Sequence, residues 1–136
     1  MENISKNLSY NEAIHSNTAK ARGIDNTPNE EILERMRLVA EKVFQPLRKW
    51  YGKPININSF YRSPLLNKAV GGATRSSHMK GEAIDISAGS KEENKKLFEW
   101  IKKNLEFDQC INEFDYRWVH ISYKEVGNRN SFFNII

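Results

Sequence analysis

Cysteine is almost absent from this chain: Cys110 is the single one among 136 residues. That excludes an internal disulfide and any zinc site built from several thiolates. The surrounding DQCIN reads as strand, where a buried, inert thiol is expected. Long apolar runs are missing too, so no membrane insertion is expected. The opening MENISKNLSYNEAIHSN has no basic stretch followed by an apolar one. No secretory signal is visible there, and synthesis in the cytoplasm is the expectation. No run of basic residues exceeds two, and no nucleic-acid-binding motif stands out, so nucleic acid is not an expected partner. Repeats, low-complexity tracts and long linkers are also lacking. A single domain over 1–136, acting as a monomer, is the expectation.

What the chain does contain is enough apolar material for a core. Hydrophobic residues make up 39% and charged residues 28%, with a formal net charge of +4. Such a surface favours polyanionic surroundings, among them acidic cell-wall polymers. Residues 1–26 read as irregular, with one short helix near Tyr10–Ile14. TPNE then predicts a helix start, with Thr27 as cap, Pro28 in the first turn and Glu30 closing a capping box. Ile32, Met36, Val39, Val43, Leu47 and Trp50 follow at helical spacing, with Pro46 expected to kink the helix and Gly52 to close it.

KPININSF alternates as a half-buried strand does, SPLLNKAV reads as a short helix and GGATRSS as a loop. GEAIDIS is a second strand, and Ser90 with Glu93 predicts a capping box for a helix over about 91–104. DQCINE and RWVHISY are two more strands around a turn at Asp115, and 124–136 reads as a tail. The expected fold class is α+β, a small antiparallel sheet packed against helices.

The chemistry concentrates in SSHMKGEAIDIS and RWVHIS. Strand alternation sets Trp118, His120 and Ser122 on one face, and Ala83, Asp85 and Ser87 on one face of the other strand. An ionised Asp among apolar neighbours is costly to bury unpaired, and a metal ion would remove that cost. His78 precedes the Asp85 strand, with Gly81 allowing a sharp turn between them. His120 would complete a His, Asp, His set if its strand pairs beside that of Asp85. On spacing alone the His78–Asp85 pair is a weak signal, and an ordinary half-buried strand histidine is the favoured reading of His120.

SFYRSPLLNKAVGGATRSSHMKGEAIDIS, followed by WVHIS, resembles the zinc peptidases of the M15 family, which include D-alanyl-D-alanine carboxypeptidases and cell-wall peptidases. The pattern S-x-H-x-x-G-x-A-x-D is met by Ser76, His78, Gly81, Ala83 and Asp85, and W-V-H by Trp118 to His120. Tyr61–Ser63, Asn67 and Gly71–Gly72 match upstream elements, and SNTAKARGIDNTP is similar to the opening of a short subgroup. The resemblance implies one zinc ion on His78, Asp85 and His120, and a hedgehog/DD-peptidase-like fold. It implies a peptidoglycan stem peptide as substrate, by carboxypeptidase or endopeptidase cleavage. Arg62 matches the substrate-contacting Arg, suited to a carboxylate or to charge on the attacked carbonyl. Ser76 matches a position near the metal, and Tyr61 and Trp118 are candidates to line the cleft.

The general base is the open assignment. Arg117 stands where many relatives carry an acid, so Glu113 is the expected base and Asp115 the alternative. His15 has no assigned role. A phage or prophage lysis enzyme is one expectation for the biology. A non-catalytic, zinc-containing cell-wall-binding module is the competing reading of the whole chain.

Overall fold

In the computed structural model, which describes residues 2–135, helices cover one face of a five-stranded sheet. Two short helices open the chain, α1 (Tyr10–Ile14) and α2 (Asn17–Arg22), where one was expected. A reciprocal capping box starts α1: Ser9 Oγ accepts from Glu12 N, and Glu12 Oε1 accepts from Ser9 N. The next helix, α3 (Glu30–Val39), begins later than TPNE predicts. Asn29, not Thr27, is its cap, accepting from Ile32 N at 2.9 Å. Asn caps as well as Thr does, and an Asn three residues before a free N–H competes on equal terms.

Past α3 the backbone widens into a π turn over Ala40–Phe44 and continues as α4 (Gln45–Tyr51). Gln45 N donates to the Ala40 carbonyl, five residues back. Pro46 has no N–H to give and its ring crowds the preceding turn, so a wider turn accommodates it without breaking the helix. Gly52, at φ 72°, closes α4 as expected. The buried stripe holds Leu33, Met36, Val39, Val43, Phe44 and Leu47. Trp50 falls outside it and stacks on Trp100, centroids 5.0 Å apart.

The strands are β1 (Asn56–Ser59), β2 (Ala83–Ser87), β3 (Gln109–Glu113), β4 (Trp118–Ser122) and β5 (Ser131–Ile135). Between them lie α5 (Pro64–Ala69) and α6 (Lys91–Asn104). At the start of α6, Ser90 accepts from Glu93 N, but the Glu93 carboxylate turns to Tyr51 and Lys96, leaving the expected box half made. The sheet order is β1-β2-β4-β3-β5.

Four strands pair antiparallel as expected, but β5 runs parallel to β3, so the sheet is mixed. Part of the presumed tail, Ser131–Ile135, is therefore an edge strand. Asp108 anchors it: the carboxylate, 1% exposed, accepts two hydrogen bonds from the Arg129 guanidinium at 2.8 Å each. Asn130 Oδ1 also accepts from Phe107 N.

Alternation then divides the sheet. Ile84, Ile86, Val119, Ile121 and Cys110 point into the core with the inward residues of α3, α4 and α6. The opposite face carries Asp85 and His120.

Candidate metal centre

Asp85 and His120 are direct cross-strand partners in the antiparallel pair β2–β4. Residues opposite one another in such a pair share a face, so the register alone brings carboxylate and imidazole together. His120 Nδ1 lies 2.8 Å from Asp85 Oδ1. His78 arrives from a 3-10 turn over Ser77–Lys80 that Ser76 caps, its Oγ accepting from His78 N at 3.2 Å. That turn ends at Gly81, φ 73°, packed against α3. A Cβ there would sit 2.8 Å from Met36 Cγ and 2.9 Å from the Ile32 carbonyl. No side chain fits, and the helix thereby sets how close the histidine loop comes to the sheet.

The tautomer of His78 follows from its partner. Nδ1 is 2.6 Å from the Phe60 carbonyl, which can only accept, so Nδ1 carries the hydrogen. Nε2 therefore presents a lone pair. It is buried, without a hydrogen-bond partner, and 3.2 Å from Asp85 Oδ2. The donor atoms of His78, Asp85 and His120 all lie within 4.8 Å of one another. Donor atoms gathered this closely on a half-buried face could hold a cation, and two nitrogens with a carboxylate oxygen suit zinc. The Phe60 carbonyl orients the ligand ring from behind, as metal-binding imidazoles require.

Burial pushes the Asp85 carboxyl up, but the neighbouring His120 and His78 imidazoles outweigh it and hold the group well below the usual carboxylate range. Glu113 lies one strand further. It pairs with Trp118, two residues before His120, and shares the face of both. Burial is the main cause that raises its pKa, reinforced by Asp85 and opposed by the two histidines, so it senses all three triad members. Asp115 does not approach them. It is exposed in the β3–β4 turn and bonded to Lys91 at 2.6 Å. Phe114, Asp115 and Tyr116 all adopt positive φ there, a conformation that non-glycine residues hold only when pinned. The pins are Asn94, which donates to the Tyr116 and Arg117 carbonyls, and the Ile135 carbonyl, which accepts from Phe114 N.

On the β1 side, Arg62 is half-buried and donates through Nη2 to Ser76 Oγ at 3.3 Å; its Nε is buried without a partner. Burial lowers its pKa, while Asp85 acts the other way. Asn26, which no sequence pattern singles out, clamps the backbone on either side of Arg62. Its Nδ2 donates to the Tyr61 carbonyl at 3.0 Å, and its Oδ1 accepts from Ser63 N at 2.7 Å. Asn67 donates to the Ala73 carbonyl and packs directly on Gly72, where a Cβ would fall 2.0 Å from Oδ1. His15 joins Arg62, Tyr61 and Asn58 around a pocket of about 290 Å³. That pocket abuts the triad, since Ser59 on its wall is the register partner of Asp85. Trp118 is half-buried beside Glu113.

A single-ion centre on the open face of a small α+β sheet is the class of site these residues define. Residues 6–122 match the family described as Peptidase M15, and the chain belongs to that family. A stretch of 54 residues is 46% identical to the zinc D-Ala-D-Ala carboxypeptidase of Streptomyces albus G. The aligned stretch covers 39% of this chain and 21% of that relative, so the chain matches about a fifth of the relative's length.

Proposed function

We propose that the protein is a zinc-dependent peptidase that hydrolyses peptidoglycan stem peptides. Family membership and the name of the Streptomyces relative support the class of enzyme and substrate. One observation carries the reading to this chain: the buried, unpartnered Nε2 of His78 converges on Asp85 and His120, with Glu113 on the same face. His78, Asp85 and His120 would hold the zinc ion, which would supply Lewis acidity for polarising a carbonyl and acidifying a water molecule.

The chain's own residues do the rest. Glu113 accepts a proton from the attacking water and delivers it to the leaving amine; its raised pKa suits both directions of transfer. Arg62, held by Asn26 and Ser76, orients the substrate and offsets negative charge on the attacked carbonyl. Tyr61 and Trp118 border the site on its two sides. The position of Glu113 favours catalysis over a purely binding role. A lytic role for a phage or prophage, and action as a monomer, are the finer readings.

The test is mass spectrometry of muropeptides digested with wild type and Glu113→Gln in parallel, alongside zinc analysis. Loss of about 10²–10⁴ in rate with zinc retained is expected. An undiminished rate removes Glu113 as base, and full zinc occupancy with no muropeptide cleaved by wild type overturns the enzyme assignment.

A further inference from the structure

The cross-strand rows that hold the triad do not stop at Glu113. One row runs Asp85, His120, Ile111, Phe133 across β2, β4, β3 and β5; the next runs Trp118, Glu113, Ile135. Partners in both pairings share a face, so Phe133 and Ile135 look out on the same side as the metal ligands. They are 39% and 37% exposed, and Phe114 packs beside Trp118 at a centroid distance of 5.4 Å. Apolar side chains of β5 thus continue these rows to the sheet edge, past the buried Ile111 and the Glu113 carboxylate. Singly exposed apolar residues need no explanation, but a cluster abutting a reactive site does.

We infer that this β5 face is a substrate subsite for an alkyl side chain on the leaving-group side of the scissile bond. The inference rests on the peptidase reading given above. Glu113 delivers its proton to the leaving amine, so the leaving segment runs over β3 towards β5. Strands are spaced about 4.8 Å apart, so Phe133 stands about 10 Å from the His120 strand. An extended peptide advances about 3.3 Å per residue, so the side chain that reaches Phe133 belongs to the second or third residue past the bond. Apart from Glu113 and the Trp118 indole, the side chains of those rows beyond His120 are apolar, so an alkyl chain matches Phe133 and Ile135 better than a sugar would. The substrate then continues past the cleaved bond, which makes the cleavage internal and not the release of a terminal residue. The strand that builds this wall lies beyond residues 6–122, the part matched to the family.

Stem pentapeptides extended at the C-terminus by two leucines or by two glycines test this. Their kcat/KM with the zinc-loaded wild type is compared with their calorimetric affinity for zinc-loaded Glu113→Gln. The leucine extension is expected to be favoured about tenfold in both. Phe133→Ser and Ile135→Ser should erase that preference. Phe132→Ser should keep it, because Phe132 lies on the same strand but faces Lys102 on the helix side. Equal affinity for the two extensions overturns the inference, as does equal loss with Phe132→Ser. Concentration-dependent dimerisation abolished by Phe133→Ser, without a leucine preference, assigns the face to a second copy and also overturns it. If wild type cleaves the unextended pentapeptide but neither extended one, the inference of internal cleavage fails; if it cleaves none of the three, the peptidase reading fails, while the affinities still decide the subsite.

Discussion

The centre of the sheet and its β5 edge are held by different means. At β2–β4 the polar side chains converge on one buried point, backed by a backbone carbonyl and a glycine that admits no side chain. At β5 the same face is apolar and open, and the strand is secured from its ends by Asp108, Arg129 and the Ile135 carbonyl. A rigid centre beside a separately anchored edge lets the chemistry stay constant while the edge selects what is bound. That division can be broken at either end.

The largest effect should come from the centre. His120→Ala removes one of the three proposed ligands and is expected to cost more than about 100-fold in zinc affinity, beyond what losing a mere supporting contact costs. Competition with a chromophoric chelator measures it, and unchanged affinity would take His120 out of the ligand set. Asn26→Ala comes next. It frees the Tyr61 carbonyl and Ser63 N around Arg62, and the lost buried hydrogen bonds should cost about 1–3 kcal/mol in urea unfolding. Activity should fall further than stability does, because Arg62 loses its fixed backbone.

At the edge, Asp108→Asn should destabilise by a similar or smaller amount, with faster hydrogen exchange confined to β5 and the β3–β4 turn. Its pH dependence has a definite sign. Hydrogen bonds from Arg129 hold the Asp108 carboxyl below its usual range, against the effect of burial. A depressed folded-state pKa contributes stability above the unfolded value of about 4, which is lost as pH falls through the folded value. The variant should therefore show a shallower loss of stability on the acid side than wild type. Smallest of all, Asp115→Asn should change stability by less than about 0.5 kcal/mol and leave activity intact, since its partner Lys91 is also exposed. A large loss of activity there would reopen the choice between the two acids.

The same contrast decides what could be read from residues alone. At the centre, alternation in RWVHIS and GEAIDIS assigns His120 and Asp85 to faces, but neither the pairing of their strands nor the choice of a metal over an ordinary strand histidine follows from it; the resemblance to the M15 family supplied the ligand set. The β5 edge was not legible. SFFNI mixes apolar and polar residues without strict alternation, and its pairing is parallel and anchored by an ion pair between buried Asp108 and exposed Arg129 that no local pattern announces. Helix starts sat in between: Thr27 and Asn29 are both good caps two residues apart, so spacing could not choose. Glu113 and Asp115 look alike as letters. What separates them is that one ends a strand on the metal-facing side and the other sits in a left-handed turn.

The pairing of Asp85 with His120 also bears on how the chain comes together in time. Side-chain direction alternates along a strand, so a slip of one residue between β2 and β4 would turn Val119 or Ile121 towards Asp85 and swing His120 into the core. A chain slipped by one residue could not bring His120 beside Asp85. During refolding, metal uptake would mark the moment at which the two central strands lock into their final alignment.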